Sequence, residues 1–130
     1  MVMGSRGADA YKRTSVQSSS PLELVVMLYD GAIRFVIEAR EAIARNDVRG
    51  RSGAVSRTLA IIAELQNTLN LKDGGEVGRE LDRLYSYINA KLLEVTAQGD
   101  DEAAREVQKL LTTLREGWSQ IAAGGATAHR

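Results

Sequence analysis

Residues 20–36 read SPLELVVMLYDGAIRFV, and this stretch decides the fold. Ser20 stands where a helix N-cap is wanted, Pro21 occupies the first helical position, where its missing N–H costs nothing, and Glu23 is placed to reach back to the cap. Beyond the cap, Val25, Leu28, Ala32, Phe35, Ala39 and Ala42 recur at alternating spacings of three and four, the seam of an amphipathic helix. A second apolar row, Leu22, Val26, Tyr29, Ile33 and Val36, makes the buried face wider than that seam. Either two neighbours cover such a face, or part of it waits for a partner. The spacing predicts a first helix running to about Arg45.

Downstream, Asn46 and Asp47 break the pattern, and Gly50 and Gly53 weaken the start of the next helical segment. Val55, Leu59, Ile62, Leu65 and Leu69 then resume helical spacing to near Asn70. Leu71-Lys72-Asp73-Gly74-Gly75 reads as a turn, since Gly supplies positive φ and Asp and Asn tolerate bends. Val77, Leu81, Leu84, Ile88, Leu92 and Val95 mark a third helix closing at Gly99. Asp100 caps a fourth, with Ala104, Val107, Leu111, Leu114, Trp118 and Ile121 on its seam. Connections this short force sequential helices to lie antiparallel, so the expected fold is all-α, an up-down-up-down four-helix bundle. The polar, Gly/Ser-rich residues 1–19 are expected to form a flexible arm, residues 20–123 the bundle, and the small, polar residues 124–130 a disordered tail.

Composition excludes several function classes. With 17 basic and 17 acidic residues among 130, no net field draws in nucleic acid. The arginines at 40, 45, 49, 51 and 57 are interrupted by Glu41 and Asp47. No apolar run is long enough to span a bilayer, so no membrane insertion is expected, and residues 1–20 lack a signal-type apolar core. The lack of cysteine removes disulfides, thiolate metal sites and thiol nucleophiles together, and it suits a reducing, cytoplasmic setting. Di-iron bundles need Glu-x-x-His on facing helices, but the only histidine is His129 in the tail. We therefore expect no enzymatic activity, metal or cofactor.

The remaining motifs read structurally. Gly74-Gly75-Glu76-Val77-Gly78 lacks the Gly-Lys-Ser/Thr of a phosphate loop. Asp100-Asp101-Glu102 fits capping and the helix dipole better than a cation site. Gly31, inside a helix, implies a close backbone approach, because it costs about 1 kcal/mol there relative to Ala. Tyr85 and Tyr87 flank Ser86, so one ring is expected in the core and the other on the surface. Trp118 reads as core.

Taken in order, these stretches resemble the FliS family, the flagellin-specific export chaperones of bacterial flagellar assembly. The resemblance runs from Tyr11 to Trp118 through Val16, Ser20-Pro21 with Leu24, and the most telling block, Met27-Leu28-Tyr29-Asp30-Gly31-Ala32. It continues through Leu69-Asn70, Gly74-Gly75-Glu76 and Leu84-Tyr85-Ser86-Tyr87 to Val107, Leu110-Leu111, Leu114-Arg115 and Trp118. Residues 1–10 make a longer start than the family pattern, and Ser86 replaces an acidic residue.

The resemblance implies a helical bundle that holds the C-terminal segment of flagellin in the cytoplasm, prevents its premature polymerisation and helps pass it to the flagellar type III export apparatus. Other export components are further partners it implies, and a homodimer is a separate expectation from the apolar surplus of the first helix. The expected flagellin contacts are Tyr11, Val16, Leu24, Met27, Tyr29, Ile33, Tyr85, Ile88 and Leu92, with the arm as a displaceable cover. The alternative is a self-associating structural or regulatory helical module without flagellin cargo.

Overall fold

The computed structural model describes residues 20–69 and 71–128, and for 71–73 and 125–128 the backbone alone. Four helices follow one another: α1 Pro21–Ala44, α2 Val48–Asn67, α3 Leu71–Gln98 and α4 Asp101–Ala128. Helix α1 begins on the expected capping box. The Glu23 N–H donates to Ser20 Oγ at 3.1 Å, and the Ser20 N–H donates to Glu23 Oε1 at 2.8 Å.

Each connection is closed by local chemistry. Asn46 takes the left-handed conformation after α1 (φ 58°). There its N–H donates to the Ile43 carbonyl at 3.1 Å, and the Asp47 N–H to that of Ala42 at 2.8 Å, the paired bonds of a Schellman end. Asp47, which the periodicity marks only as a break, starts α2: its carboxylate accepts the Gly50 N–H at 2.9 Å. That bond holds the carboxyl below the usual carboxylate range. A Cβ at Gly50 would lie 2.5 Å from Asp47 Oδ2, so this glycine makes room for the cap rather than weakening the helix. Helix α2 accordingly starts at Val48, ahead of its first apolar seam residue, Val55.

The expected 71–75 turn narrows to one residue. Residues 71–74 are helical, and Gly75 (φ 60°, ψ −139°) alone breaks α3. Gly99 ends α3 with φ 65°, and Asp100 Oδ1 caps α4 through the Ala103 N–H at 3.2 Å. Helix α4 runs on through residues 124–128.

Helices α1 and α3 each pack on α2 and α4, and among the described residues close backbone contacts do not cross the diagonals. Arg40 forks onto Asp101, with Nε at 2.9 Å, and donates to Gln108 Oε1 at 2.9 Å. Further along, Arg115 Nε donates to Asp30 Oδ1 at 2.7 Å. The α1 positions fall as the α4 positions rise, so these two helices are antiparallel. Arg57 of α2 pairs with Glu38 and stacks over the Phe35 ring of α1, while Gln66 of α2 bonds Asp82 and Asn89 of α3.

The core is the inner face of all four helices, including Val36 of the second α1 row and Val55, Ile62, Leu65, Val95, Val107 and Leu111 of the other seams. Gly31 faces a side chain rather than a backbone: a Cβ there would sit 3.2 Å from Ile61 Cδ1. Tyr85 is buried and Tyr87 exposed, as the spacing requires.

Candidate protein-binding groove

The wide apolar face of α1 is covered unevenly. Tyr29 and Val36 of its second row are fully enclosed, whereas Leu22, Val26 and Ile33 remain half-buried. Helices α2 and α4 therefore cover the middle of α1 but leave its first two turns partly open. There a groove of about 340 Å³ is lined by Pro21, Leu22, Leu24, Val25 and Leu28 of α1, with Leu65, Thr68 and Leu69 from the end of α2. Tyr85 of α3 and Trp118 of α4 complete its walls.

The local sequence explains the opening. The capping box fixes where α1 starts, and five of the first eight helical residues are large aliphatics. Helix α2 stops at Asn67, with Thr68 bonded back to Glu64 and Leu65, so little chain remains to lie over them. Burying an aliphatic side chain contributes about 1.5–3 kcal/mol, and each side chain left half-covered keeps part of that for an incoming apolar group.

Under the groove lies the principal polar feature of the core. Trp118 Nε1–H donates to Tyr29 Oη at 3.3 Å, and the hydroxyls of Tyr29 and Tyr85 are hydrogen-bonded to each other. Burial pushes both phenols above their ordinary range, and Tyr85 is raised further by its neighbour Tyr29.

Of the residues singled out from the sequence, Leu24 lines the groove, Met27 is half-buried on the same helix, and Ile33 packs half-buried against the core. Tyr29, Tyr85, Ile88 and Leu92 lie in the core with 0, 1, 0 and 2% exposure; in this state Tyr29, Ile88 and Leu92 offer an incoming chain no surface. Tyr11 and Val16 lie outside the described residues. Sequence reasoning missed Leu22, Val25, Leu28, Leu69 and Trp118 as groove wall, because it placed Val25, Leu28, Leu69 and Trp118 on seams and Leu22 in the surplus row. The usable signal was the aliphatic density of the first two turns of α1.

A second, more open depression of about 550 Å³ lies at the opposite end, between α1 and α4, lined by Ile37, Arg40, Ile43, Asp101 and Gln108 among others. Polar bonds of Arg40 cross it, whereas the first groove is almost wholly apolar. Among the described residues, no group of acidic or histidine side chains is placed to hold a metal, and no helix is long and apolar enough to cross a membrane.

Comparison with known proteins agrees with this geometry. The family model described as flagellar protein FliS matches residues 4–125. The flagellar secretion chaperone FliS of Salmonella typhimurium is 36% identical over 120 residues, covering 88% of this chain and 89% of that protein. Its namesake in Campylobacter jejuni is 34% identical, covering 87% and 88%. The Bacillus subtilis protein of that name is 31% identical, covering 85% and 82%. With a family match across most of its length and an open apolar groove at one end of a four-helix bundle, the chain belongs to the FliS family.

Proposed function

We propose that this protein is a cytoplasmic flagellar export chaperone that takes the C-terminal segment of flagellin into the groove at the start of α1. The observation that carries the reading is the groove itself: half-covered aliphatics on α1 and α2 with an indole beside them, in a member of a family of secretion chaperones. A segment disordered on its own becomes helical by laying apolar anchors into such a groove, and its ordering entropy offsets part of the contact energy. Binding the unpolymerised state in preference keeps flagellin from assembling before export. Leu24, Met27 and Ile33 serve as contacts on α1, and the work is done by binding, without catalysis.

Residues 1–19 join the bundle at Pro21 and Leu22, both in the groove wall. The arm, with Tyr11 and Val16, is therefore tethered where it can cover the same apolar surface and yield to cargo. Titration calorimetry of the full chain with a fragment covering the C-terminal segment of its cognate flagellin tests the reading. Saturable one-to-one binding with a negative heat-capacity change and a gain in helix supports it; no binding by a demonstrably folded bundle rejects it. Deleting residues 1–17 should alter affinity or self-association, and unchanged behaviour in both rejects the covering arm.

A further inference from the structure

Two consecutive residues of α1 take hold of α4 beside the groove, one from inside the bundle and one from its surface. Tyr29, wholly enclosed, accepts the Trp118 indole N–H at 3.3 Å. Asp30 takes the Arg115 guanidinium as a fork, with Nε at 2.7 Å from Oδ1 and Nη2 at 3.5 Å from Oδ2. Arg115 and Trp118 stand about one turn of α4 apart. Trp118 lines the groove, whereas Asp30 and Arg115 do not.

The two bonds differ in strength. At 3.3 Å the indole bond is longer than the usual N–H···O range, and both its partners are neutral. Alone, it leaves a half-buried indole free to tilt about a single point. The Arg115 bond is short and charge-assisted, and its paired geometry fixes direction as well as distance. Both side chains of that pair are more than a third exposed, at 38% and 45%, so it contributes little to overall stability. The apolar core holds the bundle together without it. What the fork supplies is a fixed rotation and height of α4 against α1 at the turn that leads to Trp118. We propose that Asp30 and Arg115 are positioning residues for cargo binding, which set the Trp118 indole in the groove wall without touching cargo themselves. This rests on the groove being the cargo site.

The chain has a single tryptophan, so its fluorescence reports Trp118 alone. Asp30→Ala and Arg115→Met each remove the fork. Thermal melts, indole emission spectra and titration with the flagellin C-terminal fragment are read on the full native chain, the two variants and the double variant. Both single variants are expected to melt within a few degrees of native and to shift the indole emission to the red as water reaches the ring. They should bind the fragment about three- to tenfold more weakly, because cargo must then order the side chain that the fork held in place. The double variant should bind no more weakly than either single one, since each change alone already breaks the same fastening. Native emission in both single variants overturns this inference. So does weaker binding with native emission, which would put the pair in contact with cargo, and so do additive losses in the double variant. Loss of the folded bundle in either single variant makes the pair structural and overturns it as well. No binding by the native chain overturns the cargo reading and the positioning role with it, while the emission spectra still show whether the fork holds the indole.

Discussion

Replacing Ser20 by Ala removes one half of the capping box and leaves the other. The Oγ that accepts the Glu23 N–H at 3.1 Å is lost, while Glu23 Oε1 still takes the Ser20 N–H at 2.8 Å. Loss of such a cap costs about 1 kcal/mol, which for a domain of this size lowers the melting temperature by about 4 °C. The turn that loosens is the one that carries Pro21, Leu22 and Leu24 into the groove wall, so the same change bears on binding. A cost of about 1 kcal/mol confined to this turn raises the Kd for cargo by at most about fivefold, since reordering the turn cannot cost more than the cap contributed. Thermal melts followed by far-UV circular dichroism, with calorimetric titration of the same samples, read both quantities. Ser20→Asp should recover most of the loss, because a carboxylate caps the same N–H. An unchanged melting temperature would show that Pro21 alone sets the start of α1. A Kd raised more than tenfold would refute the indirect route and put Ser20 in contact with cargo.

The geometry sets three further expected outcomes. The two buried phenols are raised from 10.0 in the fold, so above that pH the unfolded chain releases protons that the folded chain retains. Stability should hold to about pH 9 and then fall by up to about 1.4 kcal/mol per pH unit for each buried phenol; denaturant titrations in which Tyr29→Phe leaves the slope unchanged would contradict this. Gly99→Ala should cost about 1–2 kcal/mol, because φ is 65° and the new Cβ would lie 2.8 Å from Arg51 Nη1, whose Nη2 donates to the Thr96 carbonyl; an unshifted denaturation midpoint would contradict it. Ala39→Leu should cost about 1–3 kcal/mol by overpacking, since Ala39 is buried in the core; a stable variant would show slack at that end.

The fold was legible because its signals are local and agree with one another. The box at Ser20, the glycine at 99 and the three-four spacing of each seam name the helices before any contact is known. Asp47 was harder to read. It is a break in an apolar pattern and a cap in space, and only the close approach of Gly50 to its carboxylate reveals the second role.

The groove was legible as a surplus on α1 but not as a list of residues. Spacing says that Tyr29, Ile88 and Leu92 are apolar or aromatic and share faces with groove candidates. It does not say how far α2 and α4 reach along α1, and that reach decides which of them are enclosed. Leu69 and Trp118 come from the ends of other helices, which no single-helix pattern can bring together.

The two ends of the bundle are built from different side chains, and the difference explains where the apolar groove lies. Toward the end of α1 and the starts of α2 and α4, five of the buried positions are alanines, Ala39, Ala42, Ala54, Ala103 and Ala104, beside Val55, Val95 and Val107. Small side chains let helix backbones approach closely, and Arg40 clasps Asp101 and Gln108 across that end. Toward the start of α1 the corresponding positions carry Tyr29, Leu65, Tyr85 and Leu111, with Leu28, Leu69 and Trp118 only partly covered. Side chains of that size hold helices apart, and the space between them is apolar and unfilled. A bundle packed uniformly with large residues would be more stable and would have nowhere to seat a partner. One packed uniformly with alanine would close along its whole length and offer no anchors. At the alanine end the depression beside α1 and α4 is crossed by the polar bonds of Arg40, whereas at the other end the large side chains leave a half-covered aliphatic surface.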